Sequence, residues 1–315
     1  MLSPLAGLYG AIAGRRMAQP GQPAGIPVLC IGNLTVGGAG KTPTAIAAAE
    51  LLLAAGQRPF FLSRGYGGRL AGPVRVDVAH HRAADVGDEP LLLARVAPTI
   101  VARNRVAGAA AARAAGASAV VMDDGFQNPA LAKDRSIVVV DGRRGVGNGR
   151  VFPAGPLRAP LAAQIELAQA VLVIGPPAGA ELVLDAARSR AVPIFHGRLE
   201  PDAAVIKELR SRPVLAFAGI GDPDKFFSTV LQAGFDLRAR QAFLDHHVYG
   251  HAEAADLVAR AARDGLMLLT TEKDLARLAG QDGVAALAGV ARALPVKLVV
   301  TEAERFREWI ASGVR

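Results

Sequence analysis

The chain has 315 residues, 51% of them hydrophobic and 20% charged, enough apolar material for more than one layered core. Its single cysteine, Cys30, excludes a disulfide framework, and no run approaches the ~18–20 uncharged apolar residues of a membrane-spanning helix. Lys and Arg outnumber Asp and Glu by 36 to 28, a formal net charge of +8, which favours anionic partners (nucleic acid, anionic lipid or phosphorylated substrates) without choosing among them.

The chain opens on MLSPLAGLYGAIAGRRMAQ, where Leu2, Leu5, Leu8, Tyr9 and Ile12 recur at helical spacing and Arg15-Arg16 close the run. No basic residues precede the apolar part and no secretory cleavage pattern follows, which argues against a signal peptide. Two readings stay open: a helix packed on the domain, or one lying in a membrane interface with its arginines near lipid headgroups. Strand-like apolar runs follow at 26–31, 59–62, 119–122, 137–140 and 171–174, with alanine-rich helical stretches between several of them. That alternation is the pattern of a parallel α/β sheet. A second set lies at 213–217, 266–269 and 296–300, and the more polar FHGRLEPDAAVIKELRSRP (195–213) marks the junction. The expectation is therefore an α/β protein in two parts. Residues 1–195 would form a P-loop NTPase-like parallel sheet with flanking helices. Residues 196–315 would form a second, smaller α/β domain that closes over the cleft and ends in a helix.

The first apolar run leads into TVGGAGKT, residues 35–42. A phosphate loop needs a strand, a glycine-rich turn whose N–H groups face an anion, and a helix whose positive N-terminus faces it too. Thr35, Val36, Gly37, Gly38, Ala39, Gly40, Lys41 and Thr42 match G-x-x-x-x-G-K-[ST] except that Thr35 replaces the first glycine. Lys41 supplies the charge for the β and γ phosphates, and Thr42 the hydroxyl for Mg²⁺. The segment reads as a nucleoside triphosphate site.

Such a site also needs carboxylates for the metal and, for transfer to an alcohol, a proton acceptor. Asp123 and Asp124, in AVVMDDGFQN, end a predicted strand where they can face the metal; an ordinary strand-ending turn would carry the same residues. Asp88 and Glu89, in VGDEP, precede a helix-like run, where simple helix capping is the competing reading. AGIGDP (218–223) offers only Gly219-x-Gly221, too little for a second nucleotide site. His80, His81, His196 and His251 show no metal-ligand spacing.

Taken together, GNLTVGGAGKTP, LSRGYGG (62–68), GDEP (87–90), DDGFQ (123–127), GNGRVFPAGPLR (147–158), FLDHH (243–247) and TTEKD (270–274) resemble, in order, the tetraacyldisaccharide 4′-kinases of lipid A biosynthesis. Ala39 stands where that family often has asparagine, and Ala159 where it often has an acidic residue. The resemblance implies transfer of the ATP γ-phosphate to the 4′-hydroxyl of an acylated glucosamine disaccharide 1-phosphate, at the cytoplasmic face of the bacterial inner membrane. Within it, Asp88 is the base and His246 its partner, with Lys41 on the phosphates. Thr42, Asp123, Asp124 and Glu89 are the candidates around Mg²⁺. Arg64, Gln127 and Arg150 are candidates for the acceptor side, with a plain turn the alternative for Arg64 and a plain loop for Arg150; Arg158 shares that loop. For His246 and His247 the alternative is a surface loop. Thr271, Glu272 and Lys273 would face the cleft. The rival function is a membrane-associated P-loop ATPase or GTPase switch acting on a protein partner. The low aromatic content (5%) gives no stacking platform for nucleic acid, and no obligatory protein partner is evident.

Overall fold

A computed structural model describes residues 3–314. The strands in chain order are β1 (Val28–Asn33), β2 (Pro59–Ser63), β3 (Val74–Arg75), β4 (Thr99–Val101), β5 (Ala119–Asp123), β6 (Arg135–Asp141), β7 (Ala170–Ile174) and β8 (Ile194–Pro201). After them come β9 (Val214–Ala218), β10 (Leu237–Ala242), β11 (Met267–Thr270), β12 (Arg292–Ala293) and β13 (Val296–Val300). Among the described residues they form a nine-stranded sheet, β13-β8-β7-β6-β1-β5-β2-β4-β3, and a four-stranded sheet, β10-β9-β11-β12.

The central strands are apolar without alternation because both faces are covered. Cys30, Val120, Met122, Val138 and Val171 pack on one side of the large sheet. Ile31, Val121, Ile137, Val139 and Leu172, their neighbours along the strands, pack on the other. The small sheet, parallel throughout, repeats the scheme with Val214 and Ala216 on one face and Leu215 and Phe217 on the other. Each sequence-predicted strand is a strand here.

The domain division differs from the expected one. The polar stretch after 195 is not a linker: 194–201 is β8, and the expected boundary at 195/196 falls inside it. Its composition is polar because this strand is only partly covered, so one face meets solvent. The run at 296–300, expected in the second domain, returns to pair antiparallel with β8. The C-terminal helix Ala303–Ser312 follows it onto the large sheet, where Phe306 stacks edge-on against Phe195 with ring centroids 5.2 Å apart. The smaller unit is therefore an insertion between β8 and β13. Periodicity marks a strand but carries no record of which sheet receives it.

The first helix, Ser3–Met17, packs through its small residues: a Cβ at Gly10 would touch Pro160 at 3.5 Å, and one at Gly14 would touch Ala163 at 3.7 Å. Ala6 and Met17 are buried, while Leu5, Leu8, Tyr9 and Ile12 stay exposed.

Because Phe306 is buried between the C-terminal helix and β8, Phe306→Ala should destabilise the large sheet by about 3–5 kcal/mol. Urea unfolding checks this. A loss confined to the small unit would contradict the assignment of the C-terminus.

Candidate active site at the cleft between the two units

The phosphate loop leaves the C-terminal end of β1, between β5 and β6, and enters the helix Lys41–Ala54. Gly37 (φ 112°) and Gly40 (φ 94°) adopt left-handed backbone, and a side chain at Gly40 would strike Ile174. A Cβ at Gly37 or Gly38 would meet nothing within 4 Å, so the loop backbone is open to an incoming anion. Its shape is held from below. The amide of Asn33 donates to the carbonyls of Thr35 (2.7 Å) and Gly37 (3.0 Å), and Arg158 donates to Thr35 (3.0 Å). Gln127 donates to the carbonyl of Asn33 (2.7 Å) and to Gln164 (2.9 Å), and accepts from Arg158 (3.3 Å). Gln127, expected on the acceptor side, thus spends both ends of its amide on the loop's foundation.

Lys41 lies in this buried floor, 3.7 Å from Asp124, and Arg158 grips Asp124 through both guanidinium nitrogens at 3.0 and 3.3 Å. Burial alone would raise the Asp124 pKa, but Lys41 and Arg158 outweigh it and hold the carboxyl below its ordinary value. Asp123 is the opposite case. Burial, then the neighbouring charges of Glu89 and Asp124, push its carboxyl well above the usual range. Both Asp123 oxygens and the Thr42 hydroxyl are buried without a hydrogen-bond partner. Unspent hard oxygens beside a phosphate loop suit a divalent cation. Of the remaining metal candidates, Asp124 is tied to Arg158, and Glu89 takes the ammonium of Lys273 at 2.5 Å.

Asp88 opens the helix Asp88–Leu93 but does not cap it: the cap position is Gly87, and Asp88 Oδ1 accepts only from the N–H of Glu89 (2.8 Å). The carboxylate, 3% exposed, meets Arg277 and His246 of the small unit, with Lys273 of the same unit nearby. Arg277 Nε lies 2.9 Å from Asp88 Oδ2, and His246 Nδ1 lies 3.6 Å from it, an ion-pair rather than a hydrogen-bond distance. Burial works to raise the Asp88 pKa, yet His246, Lys273 and Arg277 together bring it down to about 2. In return Asp88 draws the His246 imidazole above its ordinary value, against burial. His246 sits at φ 55° with its ring 4.8 Å from Tyr66, a strained placement of the kind that clusters at functional sites. His247 is spent structurally, stacked on Phe243 and 2.9 Å from Glu253.

The TTEKD segment is the start of the helix Glu272–Leu278, capped by the Thr271 hydroxyl. Lys273 crosses the cleft, as does Arg277 one turn later, a residue the sequence reading passed over. Its only signal was the i, i+3 spacing from Asp274. The Gly219-x-Gly221 loop also belongs here: a Cβ at Gly221 would lie 3.4 Å from the N–H nitrogen of Gly38. On the same side, Lys225 meets Asp141 at 2.6 Å and Arg144 meets Asp222 at 3.1 Å. Arg64 is exposed after β2. Buried Arg105, also missed, donates to the carbonyl of Ala102 (2.8 Å) near Asp123. Arg150 is exposed in the 147–158 turn, with no side-chain hydrogen bond or ion pair to the phosphate loop among the described residues.

A phosphate loop beside a cleft across which a buried carboxylate of the large unit pairs with an imidazole of the small unit is the arrangement of a P-loop kinase. The family model for tetraacyldisaccharide-1-P 4′-kinase matches residues 1–315. The tetraacyldisaccharide 4′-kinase of Methylobacterium sp. (strain 4-46) is 61% identical over 287 residues, 91% of this chain and 86% of its own. That of Nitrobacter winogradskyi is 50% identical over 314 residues, 100% of this chain and 93% of its own. A crystal structure of the Aquifex aeolicus LpxK in complex with ATP superimposes with a TM-score of 0.75 at 26% identity, covering 100% of this chain and 98% of that one. The chain belongs to the tetraacyldisaccharide 4′-kinase family, and its activity is the family's, phosphorylation of a tetraacyldisaccharide 1-phosphate at the 4′ position.

Gln127→Met should weaken nucleotide binding roughly tenfold by removing the loop's foundation, about the worth of one or two hydrogen bonds. Acceptor KM should change little. Calorimetric titration with nucleotide, set beside steady-state kinetics, separates this from an acceptor contact, which would reverse the pattern.

Proposed function

We propose that the protein transfers the γ-phosphate of ATP, held with Mg²⁺ at the phosphate loop, to the 4′-hydroxyl of an acylated glucosamine disaccharide 1-phosphate, forming lipid IVA at the cytoplasmic face of a bacterial inner membrane. The observation that carries this reading is that Asp88, on the same unit as Lys41, Thr42 and Asp123, pairs at 3.6 Å with His246 of the small unit. A switch that only hydrolyses nucleotide needs no such pair.

The open backbone at Gly37 and Gly38, the positive end of the helix after them and Lys41 take the β and γ phosphates. Thr42 and Asp123 would hold Mg²⁺, with Asp124 and Glu89 beside them. When bound, the metal neutralises charge at the phosphate oxygens. A sugar hydroxyl is a poor nucleophile near neutrality, so its proton must be taken as the new bond forms. Asp88 stays ionised beside Lys273 and Arg277, and with His246 in its neutral form the proton drawn from the hydroxyl comes to rest on the pair, on His246. The two act as a unit. Arg64, above the end of β2, and Arg150 are kept as acceptor-side cations.

The membrane contact rests on the first helix. Leu8 is 63% exposed and Ile12 58%, although each is large and apolar, and Phe152 continues the patch 5.9 Å from Tyr9. Arg15 and Arg16 stand at its end. Among the described residues no helix is long and apolar enough to cross a membrane. A helix lying in the interface, with arginines at headgroup level, fits this surface.

Transfer from labelled ATP should depend on the acylated disaccharide. Asp88→Asn should slow that transfer by about 10²–10⁴ with little change in ATP affinity, and His246→Ala by less. The pH profile carries a signed expectation. The basic form of His246 is lost as pH falls through a pKa held above its ordinary ~6.5 by Asp88, so the acid limb should lie above that value. Asp88→Asn removes the cause, and the residual activity should show the limb moved to lower pH. A limb that stays in place would detach His246 from the reaction.

For the membrane, Leu8→Glu with Ile12→Glu should release the protein from anionic liposomes in co-sedimentation while ATP binding is retained. Added salt should weaken what remains, since interfacial charge is screened within about 8 Å. Sedimentation that survives both would give this face another partner.

A further inference from the structure

We infer that Arg277 is a positioning residue for the transfer: it sets the separation of Asp88, on the large unit, from His246, on the small one. The inference rests on the reading of Asp88 and His246 as the proton-accepting pair. The observations are geometric. The guanidinium of Arg277 is buried and spans three groups. Nε lies 2.9 Å from Asp88, while Nη1 donates to the carbonyl of His247 at 3.2 Å and meets Asp274 at 3.3 Å. The first contact fixes one member of the pair, and the second fixes the backbone next to the other.

What makes this link stiff is Asp274, which is fully buried. Its carboxylate accepts from the N–H of Gly219 (3.0 Å), the hydroxyl of Tyr249 (2.7 Å) and the hydroxyl of Thr271 (2.6 Å). These donors come from three separate segments of the small unit. Asp274 therefore holds Arg277 against the small sheet, and Arg277 transmits that anchoring to Asp88. A lysine cannot reproduce this, because its single ammonium cannot meet Asp88 through one nitrogen while donating to the His247 carbonyl through another, as Nε and Nη1 of Arg277 do. This gives the TTEKD segment a role: Lys273 pairs Glu89, Asp274 forms the hub, and Arg277 makes the connection.

The cleft beside it supplies a decisive test. A cavity of about 410 Å³, lined by Arg82, Asp85, Tyr249, Arg277 and Gln281 among others, opens next to the Arg277 side chain. Free guanidinium can enter there once the side chain is removed. In the full-length protein, assayed by transfer from labelled ATP to the acylated disaccharide, Arg277→Ala should lower kcat about 10²-fold, the scale of a misplaced proton acceptor. KM for ATP should stay nearly constant. Low-millimolar guanidinium should restore a large part of the rate, and sodium chloride at the same ionic strength should not. Because groups that act as a unit are not additive, Asp88→Asn with Arg277→Ala should be hardly slower than Asp88→Asn alone.

Loss of ATP affinity in proportion to rate, absence of guanidinium rescue, or a double variant showing the full product of the two losses would each overturn the positioning role and leave Arg277 a brace. Should the alanine variant fail to fold, Arg277→Lys carries the test: slower transfer at unchanged ATP KM supports the inference, and the wild-type rate overturns it. A wild-type rate in Asp88→Asn would instead overturn the reading of the pair itself.

Discussion

Strands β7, β6, β1, β5, β2 and β4, in that order across the large sheet, run parallel, and this constraint decides where chemistry can happen. Parallel pairing aligns their C-terminal ends along one edge, and each strand hands its next residue to that edge. Ile31 pairs with Asp123, so the start of the phosphate loop and the end of β5 lie side by side. Ser63 at the end of β2 delivers Arg64 there, and Asp141 at the end of β6 delivers the partner of Lys225. No individual loop finds the site. The sheet gathers residues far apart in the chain and leaves the loops to adjust them.

That edge is crowded with charge, and the pairing pattern separates support from chemistry. Buried ions destabilise unless compensated, and the compensation here is mostly complete: Asp124 with Arg158 and Lys41, Glu89 with Lys273, Asp274 with its donors. Beside the phosphate loop, both oxygens of Asp123 and the hydroxyl of Thr42 are among the buried polar atoms left without a hydrogen bond. A folded protein seldom leaves buried oxygens unpaired without a reason, and in the proposed reading these are the ones that would take the Mg²⁺. Asp88 is distinct again. It is surrounded by cations, but they belong to the small unit, so its environment exists only while the two units meet.

The same division of labour appears at the other end of the molecule. The first helix uses glycine and alanine to approach the 151–165 segment closely and keeps its large apolar residues for the outside. A helix that served only to finish a core would do the reverse, since burying a leucine stabilises by ~1.5–3 kcal/mol. Leucine, isoleucine and tyrosine are exposed on this helix and Phe152 continues the patch, the surface that the proposed membrane contact would use.

Much of this was legible in the chain itself. The phosphate loop could be read because its geometry demands specific residues at fixed spacing: glycines for backbone a side chain would block, then lysine and threonine. The buried parallel strands announced themselves by unbroken apolar runs, and Asp88, Asp123 and His246 by their motifs. What the chain did not disclose were relations over long separations. That 296–300 returns to β8, that Gln127 is hydrogen bonded beneath the phosphate loop, and that Arg277 reaches Asp88 all depend on which surfaces pack together. Local sequence sets the shape and polarity of each element, since backbone sterics and side-chain periodicity act within a few residues. Which charge neutralises which is settled only when burial removes water and every ion must find its partner inside the fold.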